Sequence, residues 1–204
     1  SKLQGSYLFP EIEKKIASYR AKHPDCRLSD LGIGDITQPL PSSVIKALCA
    51  ASREMGEMAT FRGYGPSEGY AFLREAIALN EYGNLGISPD EIFISDGAQS
   101  DIANFQELFA SDNRIGIPDP TYPVYLDSNV MAGRTKAPLK TGKYGGVTYL
   151  PCTEQNNFKT KIPSTPLDLI YLCFPSNPTG AVIDRSLMKE WVEFAKANRA
   201  IILL

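Results

Sequence analysis

Three short stretches carry residues able to do chemistry: "SDGAQSD" at 95–101, "PDPTYPVY" at 118–125 and "FPSNPTG" at 174–180. In the first, Gly97 and Ala98 let the backbone come close to a ligand. The helix that follows exposes unpaired N–H groups at its start, and those donors with the helix dipole suit a phosphate. A plain strand-to-helix turn capped by Ser95 or Asp96 accounts for the same residues. In the second stretch, two prolines stiffen the approach to Tyr122, which either presents its ring to a planar ligand or packs in the core. In the third, Asn177 precedes Pro178 and is pushed to extended geometry. Its amide either donates to an anionic oxygen or bridges the loop backbone as an Asx turn. Taken singly, each stretch is explained by turn chemistry.

Other chemistries find little support. Neither a Walker loop nor G-x-G-x-x-G is present. His23, the only histidine, precedes Pro24 at the end of a predicted helix, so a Ser-His-Asp or Cys-His mechanism has no base to rest on. Cys26, Cys49, Cys152 and Cys173 form no C-x-x-C pair, and they read as reduced thiols of a cytoplasmic protein rather than as metal ligands. The 204 residues are 43% hydrophobic and 22% charged, ordinary for a globular protein. Lys and Arg total 21 against 23 Asp and Glu, a net charge of -2 without a basic cluster, which argues against a nucleic-acid partner. No apolar run is long enough to span a bilayer, and the first fifteen residues lack the apolar core of a signal peptide.

The elements that must position the three stretches alternate in type. Apolar spacing predicts a helix from Pro10 to Lys22, then a short strand in "LSDLGIGD". A helix capped by Ser42 or Ser43 runs to about Met58, and another ends at Gly83 after the glycine-rich "FRGYGPSEGY". Ser88-Pro89 reads as a cap and first helical position, "EIFIS" as a strand and "AQSDIANFQELF" as an amphipathic helix. "RIGIPDPTYPVYLDSNVMAG" repeats strand, loop and helix, and "YGGVTYLPC" adds a strand. "LDLIYLCF", a helix from Asp184 to about Asn198, and "AIILL" complete a further βαβ unit. This alternation predicts an α/β fold with a largely parallel sheet. Ligands of such sheets lie outside the carboxyl ends of the strands, so parallel neighbouring strands would bring the three loops to one edge. The closing "ANRAIILL" reads as a buried strand cut off before any loop. The expectation is that the chain is the N-terminal part of a longer protein.

Together and in this order, the three loops resemble the fold-type I, pyridoxal-phosphate-dependent aminotransferases, whose strand-loop signature stands here as "PSNPTG". The resemblance extends over nearly the whole chain. "YLFPEIEKK", "LGIGDITQPLP", "RGYGPSEGY" and "SDGAQSD" are similar to the LL-diaminopimelate aminotransferase branch of that family. It implies a three-layer αβα fold with a mostly parallel sheet. Residues 1–38 would form an N-terminal arm and small-domain segment, and residues 39–204 the first part of the large cofactor-binding domain. It also implies a homodimer with shared active sites, acting on a small amino acid and a keto acid.

Carried onto this sequence, the resemblance implies that Asn177 donates to the phenolate oxygen of the cofactor and that Tyr122 lies against its ring. Ala98 and Gln99 would offer N–H groups to the phosphate, and Tyr64 would reach the phosphate of the neighbouring subunit's cofactor. Tyr7, Gly34, Gln99, Tyr122 and Asn177 would contact substrate, Gly34 through its backbone. Many members carry lysine where this sequence has Gln99; a backbone contact survives that change and a charge-based one does not. The Schiff-base lysine, the aspartate at the pyridine nitrogen and the carboxylate-binding arginine are expected beyond Leu204, so no catalytic residue is assigned within the segment. The implied reaction converts LL-2,6-diaminopimelate and 2-oxoglutarate to tetrahydrodipicolinate and glutamate, in lysine and peptidoglycan-precursor synthesis. The alternatives are an aminotransferase for aspartate, alanine or aromatic amino acids, or a regulatory domain of the same fold without catalysis.

Overall fold

A computed structural model describes residues 3, 8–29, 31, 32, 34 and 36–204. The chain forms two compact units, one of residues 6–95 and one that holds Asp96–Leu204 together with residues 1–5.

The unit before Asp96 holds α1 (Leu8–Lys22), α2 (Ser42–Glu54) and α3 (Ala71–Tyr82). Neither serine caps α2. Pro41, with φ -57° and ψ 147°, supplies the extended entry, and Ser42 is already helical. The helix stops at Glu54, short of Met58, where the Thr60 hydroxyl donates to the Glu54 carbonyl at 2.7 Å. Ser88 does cap a short 3-10 turn, Pro89–Glu91. Its Oγ accepts from Asp90 N while Glu91 Oε2 accepts from Ser88 N, a capping box. "EIFIS" forms no strand. Within it the Ile94 N–H donates to the Glu68 carbonyl at 3.0 Å, but no ladder forms. The strand expected in "LSDLGIGD" falls partly outside the described residues, and its described part, from Leu28 to Gly34, is not strand.

The unit from Asp96 onward contains the sheet. Its strands are β1 (Ile115–Asp119), β2 (Val147–Pro151), β3 (Leu169–Tyr171) and β4 (Ile201–Leu203). They pair in parallel in the order β2-β1-β3-β4. Its helices are α4 (Ala98–Phe105), continued by a 3-10 turn Gln106–Leu108, α5 (Pro123–Ala132) and α6 (Arg185–Asn198). Side chains alternate across a strand. Ile115, Ile117, Leu169 and Tyr171 therefore face one layer, packed by Ile102 of α4 and Tyr125 and Leu126 of α5. Leu150, Ile170 and Leu172 face the other, packed by Trp191 and Ala195 of α6. The result is the expected three-layer αβα arrangement. α6 starts where its sequence predicts, the Asp184 carboxylate accepting from Leu187 N at 2.9 Å. β4 is the edge of the sheet formed by these 204 residues, with Ile201 42% exposed and the next two residues half-buried.

Candidate active site

Strand order places the site. From β1 the chain crosses to β2 on one side, and from β3 to β4 on the other, so the direction of winding reverses between β1 and β3. Ligands of α/β sheets bind in the crevice outside the strand carboxyl ends at such a reversal. The two loops leaving these strands are the Tyr122 and Asn177 loops. Each begins with a cis X-Pro bond, Asp119-Pro120 and Phe174-Pro175, and the second loop has another at Asn177-Pro178.

The start of α4 joins them. Neither Ser95 nor Asp96 caps it. Gly97 holds the cap position at φ 131° without a side-chain bond, and the first intrahelical bond is donated by Asp101 N to Gly97 O at 3.1 Å. The N–H groups of Ala98, Gln99 and Ser100 precede that bond and point away from the helix body. A Cβ built on Gly97 would meet nothing within 4 Å, so the space beside it is open. Gln99 is exposed, and its Oε1 accepts from the Tyr122 hydroxyl at 3.4 Å, which sets the helix start against the tyrosine loop.

Tyr122 is half-buried, neither sealed in the core nor standing free in solvent. Its ring meets Tyr125 edge-on at 5.7 Å, and Tyr125 lies on the buried Tyr171 at 5.3 Å. Burial first, and then the neighbouring Cys173, push the Tyr125 phenol up to about 12, so it stays a protonated donor through the neutral range. Asn177 is exposed. Its loop closes through Ser176 N to Ala181 O at 2.8 Å and Gly180 N to Ser176 O at 2.7 Å. The turn thus holds itself with backbone, and among the described residues none is hydrogen-bonded to the Asn177 amide.

A cleft of about 320 Å³ beside this edge is lined by Ala98, Asp101, Ile102, Phe105, Tyr125 and Leu203. Ala98, Gln99, Tyr122 and Asn177 therefore all belong to the carboxyl edge of one sheet. Gly34 and Tyr64 lie in the other unit, both exposed, and Tyr7 lies outside the described residues. Sequence reasoning misses Tyr125 and Tyr171. The spacing of Tyr122 and Tyr125, three apart at a helix start, is the available signal for the first. Tyr171 sits inside an apolar run and offers none.

The arrangement combines helix-start donors for a phosphate, an aromatic ring at a sheet reversal and an uncommitted amide. A family model, aminotransferase class I and II, matches residues 27–204. The chain is 56% identical over 204 residues to an LL-diaminopimelate aminotransferase of Desulfosudis oleivorans, covering 99% of this chain and 50% of that protein. It is 52% identical to one of Prochlorococcus marinus with the same coverage. The solved L,L-diaminopimelate aminotransferase from Chlamydomonas reinhardtii superposes with a TM-score of 0.88 at 40% identity, over 98% of this chain and 50% of that one. The chain spans about half the length of the curated relatives it matches. With the loops, the sheet order and the match from residue 27 onward in agreement, the chain belongs to the class I and II aminotransferases.

Proposed function

We propose that this chain forms the first part of the pyridoxal-phosphate site of an aminotransferase that takes LL-2,6-diaminopimelate and 2-oxoglutarate to tetrahydrodipicolinate and glutamate. The carrying observation is the meeting of α4's start, Tyr122 and the Asn177 loop at one sheet reversal, in a chain more than half identical to LL-diaminopimelate aminotransferases.

The residues present fit the cofactor. A phosphate dianion needs several N–H donors, and the uncapped first turn of α4 supplies them with the positive end of the helix dipole. Open space beside Gly97 leaves room for the phosphate oxygens. A planar ring needs a flat neighbour, and Tyr122 provides one already steadied by Tyr125. A phenolate needs a donor, and the Asn177 amide is uncommitted, so holding that oxygen costs the loop no bond. When bound, pyridoxal phosphate supplies a ring that accepts electrons from the substrate's α carbon. The chain's own part is to fix that ring at both ends, with Ala98 and Gln99 at the phosphate and Asn177 at the phenolate.

Gln99 carries no charge and engages Tyr122, so its side chain positions the ring neighbour while its backbone N–H serves the phosphate. Gly34 and Tyr7 would hold the substrate. Full exposure of Tyr64 supports a contact with the cofactor phosphate of a second subunit, in a homodimer with shared sites. Assignment of residues 1–38 to an arm and small-domain segment, and of 39–204 to the first part of the large domain, belongs to the same reading. So does a cytoplasmic setting. Among the described residues no helix is long and apolar enough to cross a membrane.

Coupled assay of the full-length protein with LL-diaminopimelate and 2-oxoglutarate should yield glutamate. Aspartate, alanine and aromatic donors should be turned over at least tenfold more slowly. Equal turnover of those donors, with none of LL-diaminopimelate, would replace the substrate assignment while leaving the cofactor site standing.

A further inference from the structure

The interior beneath the site holds a cation bonded only to neutral oxygens. Arg134, 7% exposed, follows α5 and turns its guanidinium onto the end of the α4 segment. Nε donates to Ala110 O at 3.2 Å, Nη2 to Gln106 O at 2.5 Å and Phe109 O at 2.7 Å, and Nη1 to Gln106 Oε1 at 2.5 Å. The cation thus sits against carbonyls at the closing end of the α4 segment, where Gln106 O and Ala110 O also accept from Phe109 N and Asn113 N, at the negative end of the helix dipole.

That contact also orients Gln106. With Oε1 facing a guanidinium, Nε2 must face the other way, toward Ile102 O at 3.3 Å, Ser128 Oγ at 3.5 Å and Tyr171 Oη at 2.5 Å. Tyr171 Oη also accepts from Asn129 Nδ2 at 2.9 Å, and Asn129 Nδ2 donates in turn to Tyr125 O at 2.7 Å. Tyr171 carries Tyr125, Tyr125 meets Tyr122, and Tyr122 reaches back to Gln99 in the first turn of α4. The circuit is closed. It leaves the α4 segment at Gln106, crosses β3 and α5, and returns at the opposite end, roughly 10 Å away along the helix.

We propose that Arg134, Gln106 and Tyr171 form a buried brace that sets the start of α4 relative to the Tyr122 ring, and so aligns the phosphate donors with the ring neighbour. This rests on the reading of that edge as the pyridoxal-phosphate site. The three are positioning residues: they touch no cofactor and act through α4 and the tyrosine stack. A helix fixed at one end only could slide along its axis, and the phosphate and ring contacts would then compete rather than add.

The test uses the full-length protein, stripped of cofactor and titrated with pyridoxal phosphate, read by visible absorbance and by affinity, with thermal midpoints in parallel. Wild type is read first; failure to take up cofactor overturns the site reading and the brace with it. Given uptake, Gln106→Leu should weaken affinity tenfold or more and shift the absorbance maximum. Gln106→Glu should restore both, because one carboxylate oxygen accepts from Arg134 and the other from the Tyr171 hydroxyl. Wild-type affinity and spectrum in Gln106→Leu, with only a lower midpoint, would overturn the brace and leave the site intact. A Gln106→Glu protein as impaired as Gln106→Leu would do the same. Should Gln106→Leu fail to fold, Tyr171→Phe keeps the ring and drops only the hydroxyl. Weaker affinity there supports the brace, and unchanged affinity overturns it.

Discussion

The two edges of the sheet treat polar groups in opposite ways. At the amino edge, Arg114 and Asp168 stand before β1 and β3 and satisfy each other. Arg114 Nε and Nη2 donate to the two carboxylate oxygens at 2.9 and 2.7 Å, and Arg114 N adds a bond to Oδ2 at 2.7 Å. The Asp168 backbone is used as well, its N–H donating to Arg114 O at 2.8 Å and its carbonyl accepting from Ile201 N at 2.9 Å. At the carboxyl edge, α4 begins without a side-chain cap, Gly97 sits at φ 131° and the Asn177 amide is uncommitted. At the amino edge the paired groups find their partners within the chain. The groups proposed to serve a ligand are held in place by backbone and packing, with the Asn177 amide left over. The carboxyl edge is not wholly unpaired, since Lys143 holds Asp119, but that pair fixes the loop's root rather than its tip.

Mutation can break this contrast in graded steps. The largest effect belongs to neither edge. Trp191 is fully buried between the sheet and α6 and donates to Thr160 Oγ1 at 3.1 Å, so Trp191→Ala should cost about 3–5 kcal/mol. Chemical denaturation should show that loss, and both edges should fail together because they share the core behind them.

Gly97→Ala comes next and should separate the edges. No atom lies near the new Cβ, so the cost is the backbone conformation alone, on the order of 1–3 kcal/mol. Relaxing φ would turn the first N–H groups of α4. Pyridoxal-phosphate affinity of the full-length protein should fall roughly tenfold or more, while the Arg114–Asp168 pair, one sheet length away, is untouched.

Asp168→Asn should give the smallest change, about 1 kcal/mol or less in stability, because solvent at the half-exposed guanidinium screens the attraction. Cofactor affinity should not move. The pH dependence carries a sign. Hydrogen bonds from Arg114 lower the Asp168 carboxyl to about 2 in the folded chain, below its ordinary value of 3.8. The stabilisation is therefore complete above the unfolded value and is lost as pH falls through the folded one. The difference between wild type and Asp168→Asn should be constant near neutrality and shrink between about pH 4 and pH 2, measured by denaturation at each pH.

Where local chemistry decides a feature, the sequence shows it. α6 is readable from Asp184 and its apolar stripe, α5 from Pro123 and Gly133, and β1 and β3 from apolar runs bounded by prolines. The three loops are readable because glycine, proline and asparagine act on their own backbone. Features set by distant partners are not. "EIFIS" has strand composition, yet a strand exists only where a ladder forms, and here none does. The order β2-β1-β3-β4, which creates the reversal beside the proposed site, is written in no local pattern. Gln106 and Tyr171 stand 65 residues apart, and nothing near either one marks the other as its partner. Pro41 takes the cap that Ser42 is suited for because an extended proline sets the entry of α2 without any side-chain bond.

One measurement tests the central claim most directly. The full-length protein, freed of cofactor, is titrated with pyridoxal phosphate as wild type and as Asn177→Ala, and visible absorbance is followed across pH. Wild type should bind saturably. Asn177→Ala should bind about 10–100-fold more weakly, the loss expected for one hydrogen bond to a charged oxygen, with its absorbance titrating at a displaced pH. A wild type that stays colourless, or an Asn177→Ala protein with unchanged spectrum, affinity and titration, would contradict the account and return "FPSNPTG" to being a turn.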